Sequence, residues 1–299
     1  MKALFRISLL LLCAAMLFAC TPTVPPTGGD EGDDPPTNEA PLALTPFLHI
    51  SFDDVEHCFR NLKEKNYASI WEEPFLAALR EAREGYGATF SLYVWKDILH
   101  DQPSCYQIEW QAASDWLKIG LHSDGDGNFA EADYTRGKTE WEHFVSDVYA
   151  MTGSYDCIDR IPRLHNFAGS AEALRGMSEA APGALGFLAA DDTRISYDLT
   201  AEENAVLLES DYLFYNNRVY LPTDVRFENY REQSIYEILA QKWGATPTDK
   251  CFILFTHEYE VYDGTAMNKC FSWIDEAALY FGEKNIPFAF PQDFSYAEK

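Results

Sequence analysis

The chain has 299 residues and a formal net charge of −25, from 23 Lys and Arg against 48 Asp and Glu. So acidic a protein repels nucleic acid and anionic membrane surfaces, which excludes both as partners. A hydrophobic content of 47% is enough for a sizeable core, and once the polar N-terminal stretch is set aside the length fits one globular domain.

The first twenty residues read as a targeting signal. Lys2 and Arg6 form a basic start, Ile7 to Phe18 an apolar run too short to span a bilayer comfortably, and Leu17-Phe18-Ala19-Cys20 a cleavage site. The last four residues resemble a bacterial lipobox, which implies cleavage before Cys20, lipidation of its thiol and an extracytoplasmic protein anchored to the cell envelope. The alternative is an ordinary secretory signal with an incidental cysteine. Thr21 to Pro41 is rich in Pro, Thr, Gly and acidic residues (Asp30, Glu31, Asp33, Asp34) with almost nothing to bury, so 21–44 is expected to be a solvated tether. The domain is then 45–299. It holds Cys58, Cys105, Cys157, Cys251 and Cys270 without a CxxC pair, which excludes a zinc knuckle and leaves at least one free thiol.

Along the domain, strand-like and helical runs alternate. Leu48 to Phe52 reads as a strand, Phe75 to Arg83 as a helix, Ala88 to Trp95 as a strand, and Ser114 to Gly120 as a strand running toward His122. Thr139 to Met151 is helical, with Trp141, Phe144, Val145 and Val148 on one face. Ser170 caps a helix over Ala171 to Met177, and Leu185 to Ala190 is a buried strand. Tyr212 to Leu221, broken by Asn216-Asn217, reads as an inserted β-hairpin. Ser234 to Trp243 is helical, Phe252 to Phe255 a strand, Lys269 to Phe281 a long helix and Pro287 to Phe290 a last strand. Such alternation implies a parallel sheet, open or closed into a barrel.

Chemistry-bearing residues collect where these strands end. Asp53-Asp54 follows the run from Phe47, His122 sits in Gly-Leu-His-Ser, and His257 closes Cys251-Phe-Ile-Leu-Phe-Thr. Carboxylates and histidines at separate strand ends are the usual parts of a hydrolytic metal site. Each alone has a plainer reading, a turn or cap for the aspartates and a structural role for each histidine. His49, His57, His100 and His143 have no motif around them and are expected to be structural or on the surface. Asp124-Gly-Asp126-Gly-Asn128 lacks the sixth-place Gly and twelfth-place Glu of a calcium loop.

In order and spacing, these segments resemble the polysaccharide deacetylase family of metal-dependent carbohydrate esterases. Ser51-Phe52-Asp53-Asp54-Val55 is similar to its Thr-Phe-Asp-Asp-Gly strand end, and His122-Ser123-Asp124-Gly125-Asp126 to its His-Ser/Thr-x-x-His. Arg163-Leu164-His165-Asn166-Phe167 loosely matches its Arg-x-Pro, Ile253 to His257 its hydrophobic strand ending in His, and Gly87 to Ser91 its Lys-Ala-Thr-Phe-Phe strand. The resemblance implies a distorted (β/α) barrel, with the hairpin inserted and the site at the strand C-terminal ends. It implies removal of N- or O-acetyl groups from an acetylated glycan by a monomer that uses a divalent metal, zinc before others. Asp54, His122 and Asp126 would be the metal ligands, Asp53 the general base, His257 the general acid and Arg163 the partner of Asp53. Asp192, or its neighbour Asp191, would orient His257. Asp126 stands where the family has a second metal histidine, so the ligand set would be two Asp and one His. Val55 and His165 replace a Gly and a Pro in the cleft walls. Two other readings stay open: a deacetylase-like lipoprotein that binds carbohydrate without turning it over, and a glycosidase using Asp53 with a second carboxylate.

Overall fold

A computed structural model describes residues 41–123, 128–262 and 266–297. The expected targeting signal, Cys20, the tether up to residue 40 and Asp126 lie outside these described residues. Within them no helix is long and apolar enough to cross a membrane.

Among the described residues, ten strands and nine α-helices follow one another along the chain. β1 (Leu42–Ala43) pairs in parallel with β10 (Phe294–Ser295), so the last residues assigned to the tether belong to the folded body. The central sheet holds β2 (Phe47–Val55), β3 (Phe90–Trp95), β4 (Leu117–Ser123), β8 (Val225–Arg226) and β9 (Cys251–His257). Its order is β4-β3-β2-β9-β8, and every neighbouring pair is parallel. A smaller sheet of order β5-β7-β6 contains β5 (Gly186–Leu188), β6 (Leu213–Tyr215) and β7 (Arg218–Leu221). β6 and β7 are the antiparallel hairpin, and Asn216 and Asn217 turn it with φ of 50° and 59°. Left-handed values at both positions are what a tight hairpin turn asks for, and Asn tolerates them.

The two sheets do not join into one continuous ladder, so the barrel is not closed. Residues 158–162 bridge the gap: the Asp159 N–H donates to the Ile119 carbonyl at 2.7 Å, while the Arg160 and Pro162 carbonyls accept from Leu185 and Leu188 at 2.7 and 2.9 Å. Expected Pro287 to Phe290 forms only a parallel bridge from Phe288 to Leu48.

The strands read as nearly unbroken apolar runs because both of their faces are buried. Leu48, Ile50 and Phe52 of β2 face the helices in one large core, while Phe47 joins Tyr93, Ile161, Leu188, Val219 and Ile253 in a second cluster between the two sheets. Alternation along the strand therefore sends His49, Ser51 and Asp53 inward, where all three are buried.

The helices are α1 (His57–Glu64), α2 (Pro74–Tyr86), α3 (Gln107–Ala113), α4 (Tyr134–Thr152), α5 (Ala171–Ser178), α6 (Ala201–Leu208), α7 (Ile235–Trp243), α8 (Tyr259–Tyr262) and α9 (Ala266–Gly282). Side chains of Glu73, Asp133, Ser170, Thr200 and Ser234 cap α2, α4, α5, α6 and α7, each satisfying N–H groups that the first turn leaves orphaned. α4 and α5 cross closely at Gly137 and Gly176. A Cβ there would meet the Ala173 carbonyl oxygen at 2.2 Å or the Tyr134 carbonyl oxygen at 2.3 Å. Cys58, Cys157 and Cys270 are buried free thiols, Cys251 is buried and Cys105 is exposed.

Candidate functional site

A regular strand turns successive side chains to opposite faces, so Asp53 and Asp54 would not share a site. β2 escapes this by a break in its pairing with β3. The register shifts between Phe52 and Val55, and Asp54 takes a left-handed φ of 54°. An irregularity of this kind re-aims one side chain. Asp53 stays buried on the inner face, while Asp54, with a side chain 25% exposed, turns over the strand ends. β4 repeats the device. Val94 pairs with Leu121 and Trp95 with Ser123, which leaves His122 as the extra residue.

Asp54 Oδ1 lies 3.3 Å from His122 Nε2 and 3.9 Å from His165 Nδ1, and the two histidine nitrogens are 3.3 Å apart. Among the described residues these three form a group able to hold a metal ion. Ligands at 2.0–2.1 Å in a tetrahedron stand about 3.3–3.4 Å from each other, so the triangle matches a zinc-sized ion with a position left open. The chemistry of the donors agrees. His122 Nδ1 is 2.7 Å from the Arg163 carbonyl, and since a carbonyl only accepts, Nδ1 carries the proton and the Nε2 lone pair faces the centre. Burial first, and then the charge of His122, lowers the His165 pKa and favours the neutral ring that ligates. The Trp95 indole N–H donates to Asp54 Oδ1 at 3.1 Å, and its ring lies 4.9 Å from that of His165.

The described third donor is thus His165, which the sequence placed only in the cleft wall. Arg163-Leu164-His165 contributes three times: the Arg163 carbonyl orients His122, its guanidinium meets Asp53, and His165 completes the triangle.

Arg163 is fully buried. Its Nη1 donates to Asp53 Oδ1 and to Ser51 Oγ, both at 2.8 Å, and its Nη2 to Thr223 Oγ1 at 3.1 Å. The Phe255 ring lies 4.1 Å from the guanidinium carbon. A buried cation needs this much compensation, because desolvating it costs several kcal/mol.

His257 is the register partner of Asp53 across β2 and β9. Its Nδ1 lies 2.5 Å from Glu228 Oε1, and its Nε2 lies 3.9 Å from Asp54 Oδ2 and 3.4 Å from Arg226 Nη2. Burial alone would lower the His257 pKa. The Glu228 hydrogen bond and the charges of Asp53, Glu228 and Asp54 outweigh it and raise the pKa above the usual histidine value.

Asp192 does not take the orienting position. The chain leaves β5 at Leu188 and carries Asp192 to the surface, where Arg194 binds both its carboxylate oxygens at 2.8 and 3.0 Å from Nε. Asp191 Oδ1 is buried without a hydrogen-bond partner. Glu228, from the short turn Phe227–Tyr230 after β8, fills the place instead. No motif marked it, because it follows a hairpin insertion and precedes its histidine by 29 residues. A cavity of about 670 Å³ lies at the opposite end of the strands, against Leu42, Arg160, Phe214 and Phe294. It contains none of these groups.

No protein-family model matches the sequence, and no curated protein matches it significantly. Solved structures do. A protein from Mycobacterium smegmatis assigned as a polysaccharide deacetylase superposes with a TM-score of 0.52 at 10% identity, over 88% of this chain and 98% of that one. A peptidoglycan N-acetylglucosamine deacetylase gives 0.45 at 11% identity, over 86% and 94%. A family 4 acetyl xylan esterase from Clostridium thermocellum, solved with a cobalt ion, gives 0.41 at 12% identity, over 84% and 98%. The first of these likenesses fixes the fold: a mostly parallel α/β sheet of the polysaccharide deacetylase type.

Proposed function

We propose that this chain, which has the polysaccharide deacetylase fold, is a metal-dependent hydrolase that removes acetyl groups from a glycan. The observation that carries the reading is the donor triangle Asp54, His122 and His165, flanked by two oppositely supported groups, Asp53 on Arg163 and His257 on Glu228. Held by these three residues, a divalent ion, zinc by the donor set, would supply the Lewis acidity to polarise a carbonyl and make water nucleophilic near neutral pH.

The rest is done by side chains. Asp53 takes the proton of the attacking water. Arg163 engages its Oδ1 and holds the carboxylate in place, while Oδ2 carries no hydrogen bond from the described residues. As the water oxygen bonds to the acetyl carbon, the bond from that carbon to the sugar nitrogen or oxygen breaks. His257 Nε2–H gives its proton to the departing atom, and Glu228 at Nδ1 stabilises the protonated ring beforehand. Acetate and a free amine or hydroxyl are the products.

The reading without catalysis rested on a lost third ligand, and the position of His165 beside Asp54 and His122 supports the catalytic one instead. The test pairs two measurements on the purified domain: divalent metal content, and acetate release from a panel of N- and O-acetylated oligosaccharides. A metal-loaded protein that releases no acetate from any of them would return the choice to carbohydrate binding. We further propose that the protein acts outside the cytoplasm, anchored through a lipid on Cys20. Cys20→Ser should release it from the membrane fraction, and a variant that still sediments with membranes would refute that anchor.

A further inference from the structure

His165 reaches the centre on a strained turn. Asn166 and Phe167, directly after it, have φ of 56° and 55°, two consecutive non-glycine residues in the left-handed region. Such conformations are disfavoured for residues with a Cβ and persist only where the surroundings over-determine them. Here the surroundings converge on Tyr197, itself left-handed at φ 59°. Its N–H donates to the Phe167 carbonyl at 2.7 Å. Its hydroxyl accepts from the Leu164 N–H at 3.2 Å and donates to the Leu188 carbonyl at 2.6 Å. Its ring lies 5.2 Å from that of Phe187 on β5. Tyr197 therefore grips the chain on both sides of His165, at residues 164 and 167, and ties the turn to the end of β5.

We infer that Tyr197 is a positioning residue for the metal centre, holding the Leu164–Phe167 turn in the conformation that sets His165 Nδ1 beside His122 and Asp54. The inference rests on reading those three residues as a divalent-ion site. Tyr197 acts through the backbone of the turn, since neither its N–H nor its hydroxyl bonds to a donor atom. Because Arg163 directly precedes the turn, loosening it would disturb the hydrogen bond to His122 Nδ1 as well.

The experiment measures the Zn²⁺ dissociation constant, by chelator competition, for the wild type, Tyr197→Phe, His165→Ala and the double variant. Thermal unfolding of each metal-free protein is recorded alongside. Tyr197→Phe should bind Zn²⁺ about 10–100-fold more weakly, the usual loss when a group that orients a ligand is removed. Added to His165→Ala it should cost little more, because the residue through which it acts is already gone. An unchanged constant in Tyr197→Phe, with or without a lower melting temperature, would overturn the inference, and so would losses that multiply in the double variant. Should Tyr197→Phe not fold, Phe187→Leu removes the ring contact that seats Tyr197 and is likewise expected to weaken binding; an unchanged constant there overturns the inference too. A wild type that binds no Zn²⁺ would instead overturn the metal-site reading on which this one stands.

Discussion

Asp53 and His257 sit side by side across two parallel strands, and each is held from its far side by a group of opposite charge. Arg163 Nη1 is 2.8 Å from Asp53 Oδ1, and Glu228 Oε1 is 2.5 Å from His257 Nδ1. The Arg163 guanidinium fixes Asp53 in place; burial works to lower the His257 pKa, but the Glu228 hydrogen bond and the surrounding carboxylates raise it, which favours the protonated ring. A fixed carboxylate beside a histidine held protonated is the arrangement that a general base and a general acid need.

Asp53 therefore has two roles that substitution should separate. Asp53→Ala strands the fully buried Arg163 charge and should destabilise the domain by about 3–5 kcal/mol, read by denaturant unfolding. Asp53→Asn keeps a carbonyl that accepts from Arg163 and should cost less, yet it should lower acetate release by ~10²–10⁴-fold while leaving metal content intact. Loss of the metal in Asp53→Asn would mean that the two adjacent aspartates have been assigned in the wrong order.

His165→Ala removes one corner of the donor triangle. Zn²⁺ affinity should fall by more than ~100-fold, beyond the upper end of what losing an orienting partner costs. The apo protein should unfold close to the wild-type temperature, because the ring is only partly buried and its Nδ1 points at the other donors. Undiminished affinity would place the third ligand in residues 124–127 and restore the two-Asp, one-His set.

How much of this was legible in the chain depends on distance along it. Strands β2, β4 and β9 announced themselves as apolar runs, and their ends carried Asp53, Asp54, His122 and His257 within a residue or two. Helix starts at Ser170 and Ser234 were legible because a cap acts within its own first turn. Glu228 and His165 were not legible. Neither lies at the end of a long run, and what brings them to the site is a hairpin in one case and a left-handed turn in the other. The two bulges were also hidden. Sequence alone places Asp53 and Asp54 on opposite faces, and only the shift in pairing with β3 explains why both serve one cleft. Asp192 misled for the converse reason: it follows the right strand, but Arg194 two residues on captures it at the surface.

That capture makes Asp192 a useful control. Its pKa is held below the usual carboxylate value by the Arg194 hydrogen bond, but an exposed pair of this kind contributes at most about 1 kcal/mol. Asp192→Ala should leave acetate release within about twofold of wild type, and its pH profile in place. A loss of ~10²-fold would show that the aspartate reaches the acid histidine during turnover, contrary to its position here.

Glu228→Gln tests the acid itself, and its sign follows from His257. In the wild type the His257 pKa is raised: burial works against it, and the Glu228 hydrogen bond, followed by the charges of Asp53, Glu228 and Asp54, prevails. The protonated ring is then favoured by folding. Its stabilisation is complete below the unfolded value of about 6.5 and is lost as pH rises through the folded value. Glu228 runs the other way. Burial would raise its pKa, yet the bond to His257 and the histidine charge hold it below normal, so its contribution is lost as pH falls through that lowered value. The pair stabilises the fold between those two limits, and Glu228→Gln should flatten unfolding free energy across that window. If His257 gives a proton to the leaving group, activity fails once the ring deprotonates, so the alkaline limb of kcat/KM should move to lower pH in the variant. An NMR titration of the metal-free protein should show the His257 resonance shifting in the same direction. A limb that stays in place while the resonance moves would mean that another group delivers the proton.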